Sequence, residues 1–179
     1  MNKFYTGIGS RETPKETLNL MIEFAYRLSK NGYILRSGGT NGTDKAFERG
    51  CDKANGLKQI YIPWDGFNKY YHNNNDIILC QNTKIYNKSK LIIQDIHPNF
   101  NNLTKGALKL HIRNVFQVLG DKLNKKSKFI ICWTPNAKLI GGTSIAIKIA
   151  LKNNIKIYNL ASKKDESELF LKLSNFSNK

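Results

Sequence analysis

Two short stretches of this chain have the residue types and spacing that hold an anion: Ser37-Gly38-Gly39-Thr40-Asn41-Gly42-Thr43-Asp44 and Ile140-Gly141-Gly142-Thr143-Ser144. Each follows an apolar run and opens a segment with helical spacing. A strand that feeds a glycine turn at the start of a helix leaves main-chain N–H groups unpaired beside the positive end of a helix dipole. That is a seat for phosphate or another anion. A third glycine turn, Gly7-Ile8-Gly9-Ser10-Arg11, adds a hydroxyl and a cation, and Trp133-Thr134 lies just before the second stretch. Together they nominate Gly7, Gly9, Ser10, Arg11, Ser37, Gly38, Gly39, Gly42, Thr43, Asp44, Trp133, Thr134, Gly141, Gly142, Thr143 and Ser144 as ligand-binding residues. Two readings of Asp44 stand open: an acceptor for ribose hydroxyls, or a carboxylate that caps its own helix.

A fourth segment, His111-Ile112-Arg113-Asn114, sits on a helix whose apolar stripe, Leu108, Ile112, Val115 and Leu119, leaves His111 and Arg113 outside it. Either these form a solvated polar face or Arg113 reaches the anion, with Asn114 beside it. Trp64, Phe67, Tyr70 and Tyr71 could stack a base or pack their own hydrophobic edge. His72, His97 and His111 do not fall at metal-ligand spacings with Cys51, Cys80 and Cys132, so no metal and no resident cofactor is expected. The three cysteines, odd in number and unpaired in spacing, read as reduced thiols of a cytoplasmic protein, in the host cytoplasm if the chain is viral. Walker A, Gly-x-Ser-x-Gly and His-Glu-x-x-His patterns are absent.

The elements that must position these residues alternate. Strands are expected at Lys3–Ile8, Tyr33–Arg36, Lys58–Ile62, Phe129–Trp133 and Ile155–Leu160. Helices are expected after Thr13-Pro14, with Thr13 as N-cap and Glu16 completing a capping box, then at about 43–54, 103–119 and 143–152, and last at about 163–176 behind Ser162. On the second of these, Ala46, Phe47 and Gly50 are expected to face the sheet. Residues 64–75 read as a loop, and residues 76–93 fit helix and strand equally. Such alternation implies an α/β, Rossmann-like, doubly wound and mainly parallel sheet with helices on both faces, in a single domain over residues 1–179. Its ligand would sit at the carboxyl ends of the strands, where their order reverses.

The 179 residues are 40% hydrophobic and 23% charged, a globular composition with no apolar run long enough for a membrane span. A formal charge of +16 makes polyanion binding a question. Lysine dominates, however, with Arg11, Arg27, Arg36, Arg49 and Arg113 the only arginines, and an AT-rich genome yields the same Lys, Asn and Ile bias. A solvated lysine exterior and a nucleic-acid footprint both fit.

In order, GIGSR, SGGTNGTDKAFERG, HIRNVFQVLG and CWTP…GGTSIAIKIA resemble the SLOG superfamily of Rossmann-like nucleotide-binding proteins over about residues 1–160. That superfamily includes the DNA processing protein A group and the Lonely Guy nucleotide phosphoribohydrolases, and the combination looks like small members encoded by bacteriophages. Ser37 through Asp44 resembles the first phosphate turn of both groups. Arg113-Asn114 is similar to an Arg-Asn pair of the first group and to an arginine of the second. Gly142-Thr143 matches the Gly-Thr of the Lonely Guy motif, whose acidic positions are here Ile145 and Ala146. Two helix-opening anion turns without a recognisable acid/base pair point to a nucleotide or nucleotide-derived small molecule, such as a sequestered signalling nucleotide, held without cleavage. N-glycoside hydrolysis of the Lonely Guy type and single-stranded DNA binding like that of the DNA processing protein A group are the alternatives, and the resemblance implies self-association into a homo-oligomer.

Overall fold

The computed structural model describes residues 3–81 and 83–176. Six parallel strands build its sheet: β1 (Lys3–Gly9), β2 (Tyr33–Ser37), β3 (Lys58–Ile62), β4 (Ile77–Leu79), β5 (Phe129–Trp133) and β6 (Lys156–Asn159), in the order β4-β3-β2-β1-β5-β6. The helices are α1 (Lys15–Lys30), α2 (Thr43–Lys53), α3 (Thr83–Ile96), α4 (Lys105–Leu119), α5 (Thr143–Lys152) and α6 (Lys163–Ser174). The chain winds outward from β1 to one edge, crosses back over the sheet through α3 and α4, and continues outward from β5. The order therefore reverses between β1 and β5, whose register pairs Thr6 with Ile130 and Gly9 with Trp133.

Side-chain alternation along the central strands divides the core into two layers. Tyr5 and Ile131 point at Met21, Phe24, Phe47 and Leu169 of α1, α2 and α6. Ile8, Ile130 and Cys132 point at Ile93, Ile112, Val115, Ile145 and Ile149 of α3, α4 and α5. Continuous apolar strands such as Phe-Ile-Ile-Cys are what burial on both faces requires.

The stretch that fits helix and strand equally contains both. β4 is only three residues long, too short to display a two-residue period, and α3 begins within four residues of its end. The expected five strands are thus six, and all of them are parallel. Between β3 and β4 there is no crossover helix, only a loop whose Phe67 is buried against Ile60 and Ile62. The aromatic segment packs its own edge: Trp64 and Phe67 meet edge to face at 5.2 Å, and Tyr71 is exposed.

Two local expectations are corrected. α1 has Pro14, not Thr13, at its N-cap, with no side-chain cap. Thr13 is buried and donates instead to the carbonyl of Ser10 at 2.9 Å, so Glu16 has no capping box to complete. Gly50 faces α1 rather than the sheet, since a Cβ there would stand 2.1 Å from the carbonyl oxygen of Ile22.

Candidate functional site

Three loops leave the carboxyl ends of β1, β2 and β5 and are bonded to one another. The Ser10 N–H donates to the carbonyl of Trp133 at 3.2 Å, tying the β1 loop to β5. Thr43 Oγ1 donates to the Ser10 carbonyl at 3.1 Å, tying the start of α2 to the same loop. Thr134 is fixed from the far side, where Asn159 Nδ2 donates to its hydroxyl at 2.7 Å. Between these loops and α4 lies a cleft of about 480 Å³, within the range of small-molecule sites.

The glycines of β1 have a packing role. Thr43 and Phe47, one helical turn apart, lie directly over Gly9 and Gly7, two residues apart on one face of β1. A Cβ on Gly7 would stand 2.4 Å from the Phe47 ring, and one on Gly9 2.6 Å from Thr43 Oγ1. No other residue type lets α2 come so close, and this approach sets the height of the first glycine turn above the sheet.

That first turn already holds an anion of its own. The Asp44 carboxylate reaches back one turn, and its Oδ2 accepts the Thr40 N–H at 3.1 Å. Arg113 reaches in from α4, donating from Nη1 to the Gly38 carbonyl at 3.0 Å and to Thr40 Oγ1 at 3.0 Å, and from Nη2 to Asn114 Oδ1 at 3.1 Å. Neither open sequence reading of Arg113 describes this. It is 6% exposed, and its first task is to clamp the turn. Burial raises the Asp44 carboxyl above its usual range, while the nearby Arg113 guanidinium pulls the other way. Gly39 is covered by Tyr70, Asn68 Nδ2 donates to its carbonyl at 2.9 Å, and Ser37 donates to the Gly7 carbonyl at 2.8 Å. Gly42 adopts φ 86° and a Cβ on it would press on the Arg11 main chain at 3.0 Å, so the turn can be made only with glycine there.

The second turn is open. α5 has Gly142 at its N-cap with no side-chain cap, and a Cβ on Gly141 or Gly142 would meet nothing within 4 Å. Asn114 Nδ2 holds the Gly142 carbonyl at 3.0 Å. Ser144 Oγ donates back to the Gly141 carbonyl at 2.7 Å and closes the turn on itself. Among the described residues, the amides of Gly142 and Thr143 have no hydrogen-bond partner.

Of the nominated residues, the cleft is lined from the β1 loop by Gly9, Ser10 and Arg11, and from the first turn by Asp44. α4 contributes Arg113 and Asn114, and the β5 loop contributes Thr134, Gly141, Gly142 and Thr143. Gly7, Ser37, Gly38, Gly39, Gly42, Thr43, Trp133 and Ser144 stand behind that surface as supports. Sequence reasoning missed Ile8, Glu12, Thr40, Ala107, Leu110, His111, Pro135 and Ile140 as lining residues. Leu108, Ile112 and Val115 mark the buried stripe of α4, and the positions beside it, Ala107, Leu110 and His111, signal the cleft-facing side. Burial, then His97 and Arg113, push the His111 imidazole down to about 4, which keeps it neutral near pH 7. Its Nδ1 is buried without a partner.

The carboxylates Glu48 and Asp65 lie outside the cleft lining. Glu48 is buried and accepts the Tyr70 hydroxyl at 2.6 Å, and Asp65 is exposed beside His72 at 2.9 Å. Ile145 and Ala146, where the Lonely Guy motif carries acids, are packed into the core. Among the described residues, no group of His, Cys, Asp and Glu could hold a metal, and the three cysteines are buried free thiols.

Strand order and reversal point define a Rossmann-like α/β protein with its cleft at the topological switch. No protein-family model and no curated protein matches the chain. Solved structures do. DNA processing protein A from Helicobacter pylori, described for its single-stranded DNA binding mode, superposes with a TM-score of 0.58 at 20% identity, over 99% of this chain and 79% of that one. DNA processing protein A from Streptococcus pneumoniae gives 0.54 at 16%, over 89% of this chain and 50% of that one. The molybdenum cofactor carrier protein of Chlamydomonas reinhardtii gives 0.54 at 14%, over 97% and 84%. At these identities the likeness is one of fold, and it agrees with the fold that the SLOG resemblance implies. Among the described residues no helix is long and apolar enough to cross a membrane.

Proposed function

We propose that this protein binds a nucleotide or nucleotide-derived small molecule, without cleaving it, in the cleft at the β1/β5 switch point. One observation carries the reading. The unpartnered amides at the start of α5, the exposed cation Arg11 and the buried Asp44 carboxylate all border the same cavity. Helix-terminal amides and a guanidinium suit a phosphate. Apolar Ala107, Leu110, Pro135 and Ile140 in the same lining suit a planar ring. The absence of an acid at the Ala146 position argues for holding over hydrolysis, because departure of a base needs a carboxyl group beside the glycosidic bond. Calorimetric titration with mono-, di- and cyclic nucleotides and ADP-ribose tests it. Saturable heat at one molecule per chain is expected from some member, and no heat from any refutes it.

A second reading, single-stranded DNA binding, is favoured by the charge of +16 together with the fold shared with DNA processing protein A. Its signature is an oligonucleotide affinity that survives physiological salt and discriminates against other polyanions. Retention only at very low salt, equal for any polyanion, reduces it to surface charge. Self-association and a cytoplasmic setting belong to the same proposal, and light scattering of the purified protein reads the first directly.

A further inference from the structure

The cleft and the net charge lie at opposite ends of the sheet. Charges lining the cleft balance, Arg11 and Arg113 against Glu12 and Asp44, so the formal +16 resides elsewhere. Much of it gathers where the strands begin. The segments that lead into β1 to β6 are residue 3 and residues 30–33, 53–58, 73–76, 119–129 and 152–156. They hold ten of the 24 lysines (29 basic residues less five arginines), against two acids, Asp76 and Asp121. We infer that this amino edge of the sheet is a second binding surface, which takes the sugar-phosphate backbones of duplex nucleic acid without reading bases and works independently of the cleft.

The edge is held in place from inside. Arg36, 1% exposed, donates from Nε to Gln59 Oε1 at 2.9 Å and from Nη1 to the Lys125 carbonyl. The Ser127 N–H donates to the Val118 carbonyl and the Lys128 N–H to the Phe4 carbonyl, each at 2.8 Å, and Lys126 Nζ donates to the Asn153 carbonyl at 3.0 Å. A buried guanidinium thus pins a loop on which Lys122, Lys125, Lys126 and Lys128 are all exposed. Lys30, Lys53 and Lys152 end α1, α2 and α5, where helix dipoles favour cations. No helix end accounts for Lys125, Lys126 and Lys128. Only Lys58, Lys152 and Lys156 of the ten form ion pairs among the described residues, with Asp52, Asp95 and Glu168.

The chemistry favours backbone over base. Lysine is a point charge suited to phosphate, and without arginine forks the edge has little to read base edges with. Tyr33 is half-buried against Phe129 and Phe176 with Lys3 over its ring, so it is no stacking platform for an unpaired base. The field is also broad. From Lys58 on β3 to Lys156 on β6 it crosses four inter-strand spacings, about 19 Å. Lys30 and Lys53 extend it on one face of the sheet and Lys152 on the other. That breadth can meet both phosphate rows across a major groove about 12 Å wide, where a single strand offers one row.

The test is fluorescence anisotropy with a labelled duplex of roughly 20 base pairs and with one of its strands, over a range of salt. For wild type the duplex binds more tightly than the strand at physiological salt, with a slope of log affinity on log salt near −5, from about six phosphates at −0.9 each. The triple variant Lys122→Gln, Lys125→Gln, Lys128→Gln loses about three units of slope and at least about tenfold in affinity. A matched triple on α3, at Lys84, Lys88 and Lys90, and Arg11→Gln at the cleft both stay within about threefold of wild type. Should the edge triple not fold, Lys122→Gln alone decides, with about one unit of slope. Equal loss in the α3 triple, a larger loss in Arg11→Gln, or a strand bound as tightly as the duplex overturns the inference. Sedimentation with phosphatidylserine vesicles at a salt that abolishes duplex binding assigns the edge to membranes and overturns it as well. So does the absence of duplex binding at physiological salt, and the small-molecule reading then stands or falls separately, on nucleotide calorimetry.

Discussion

Arg113→Met separates a clamp from a surface cation. The substitution keeps most of the side-chain stem and removes the guanidinium that donates at 3.0, 3.0 and 3.1 Å to Gly38, Thr40 and Asn114. It also leaves the Asp44 carboxylate, 1% exposed, without the opposing charge that holds its acidity. Removing one partner from a buried charged arrangement costs about 3–5 kcal/mol, chiefly through the charge left behind. For a chain of this length each 1 kcal/mol is worth about 2–4 °C in melting temperature, so the variant should melt roughly 6–20 °C lower. The deficit depends on pH, with a definite sign. Without Arg113 the folded-state pKa of Asp44 rises further above its unfolded value, so the folded protein binds more protons than the unfolded one in the window between them. Stability then falls as pH rises through that window. Urea unfolding followed by circular dichroism should show a larger deficit at pH 7.5 than at pH 5, and the double variant with Asp44→Asn should recover part of the loss. A deficit below about 1 kcal/mol, or one that grows toward acid, would mean that Arg113 does not counter Asp44.

Gly50→Ala places a methyl group 2.1 Å from the Ile22 carbonyl and must push α1 and α2 apart; a loss of roughly 3 kcal/mol in urea unfolding is expected. Arg11→Gln, at an exposed side chain bordering the cleft, should leave the melting temperature unchanged and weaken nucleotide binding by roughly 5- to 30-fold in calorimetry, with a shallower salt dependence. The His111 imidazole is pushed from 6.5 to about 4, so the folded state binds fewer protons between those values and stability rises with pH across them; in His111→Asn the slope of urea midpoint against pH over that range should flatten.

The fold was legible wherever a period had room to repeat. The stripe of Leu18, Met21, Ile22, Ala25 and Leu28 marks α1, and the unbroken apolar run of β5 marks a central strand. The edge was not legible, because β4 contributes three residues and α3 follows almost at once, so any window long enough to test one period averages two. The loops that border the cleft were visible from their glycines, since a β-strand followed by a glycine turn and a helical stripe has few other meanings. What each glycine does was not visible. Gly7 and Gly9 read as ligand contacts; Gly9 does line the cleft, and both also make room for Phe47 and Thr43, a fact that depends on α2 lying over β1. Asp44 is the sharper case. The cap reading describes Oδ2, which accepts the Thr40 amide, whereas the acceptor reading turns on how near a ligand can come to a carboxylate that is 1% exposed. Arg113 escaped a polar-face reading because helical spacing tells which residues share a face, and not that the neighbouring face is a loop full of carbonyl groups waiting for a donor.

The most direct test of where a ligand sits is the amide ¹H–¹⁵N spectrum of the protein titrated with a nucleoside 5′-monophosphate. The account predicts the largest shifts at Ser10, Arg11, Thr40, Gly142 and Thr143, saturating together. Shifts confined to the lysine-rich exterior, or none at the start of α5, would contradict it.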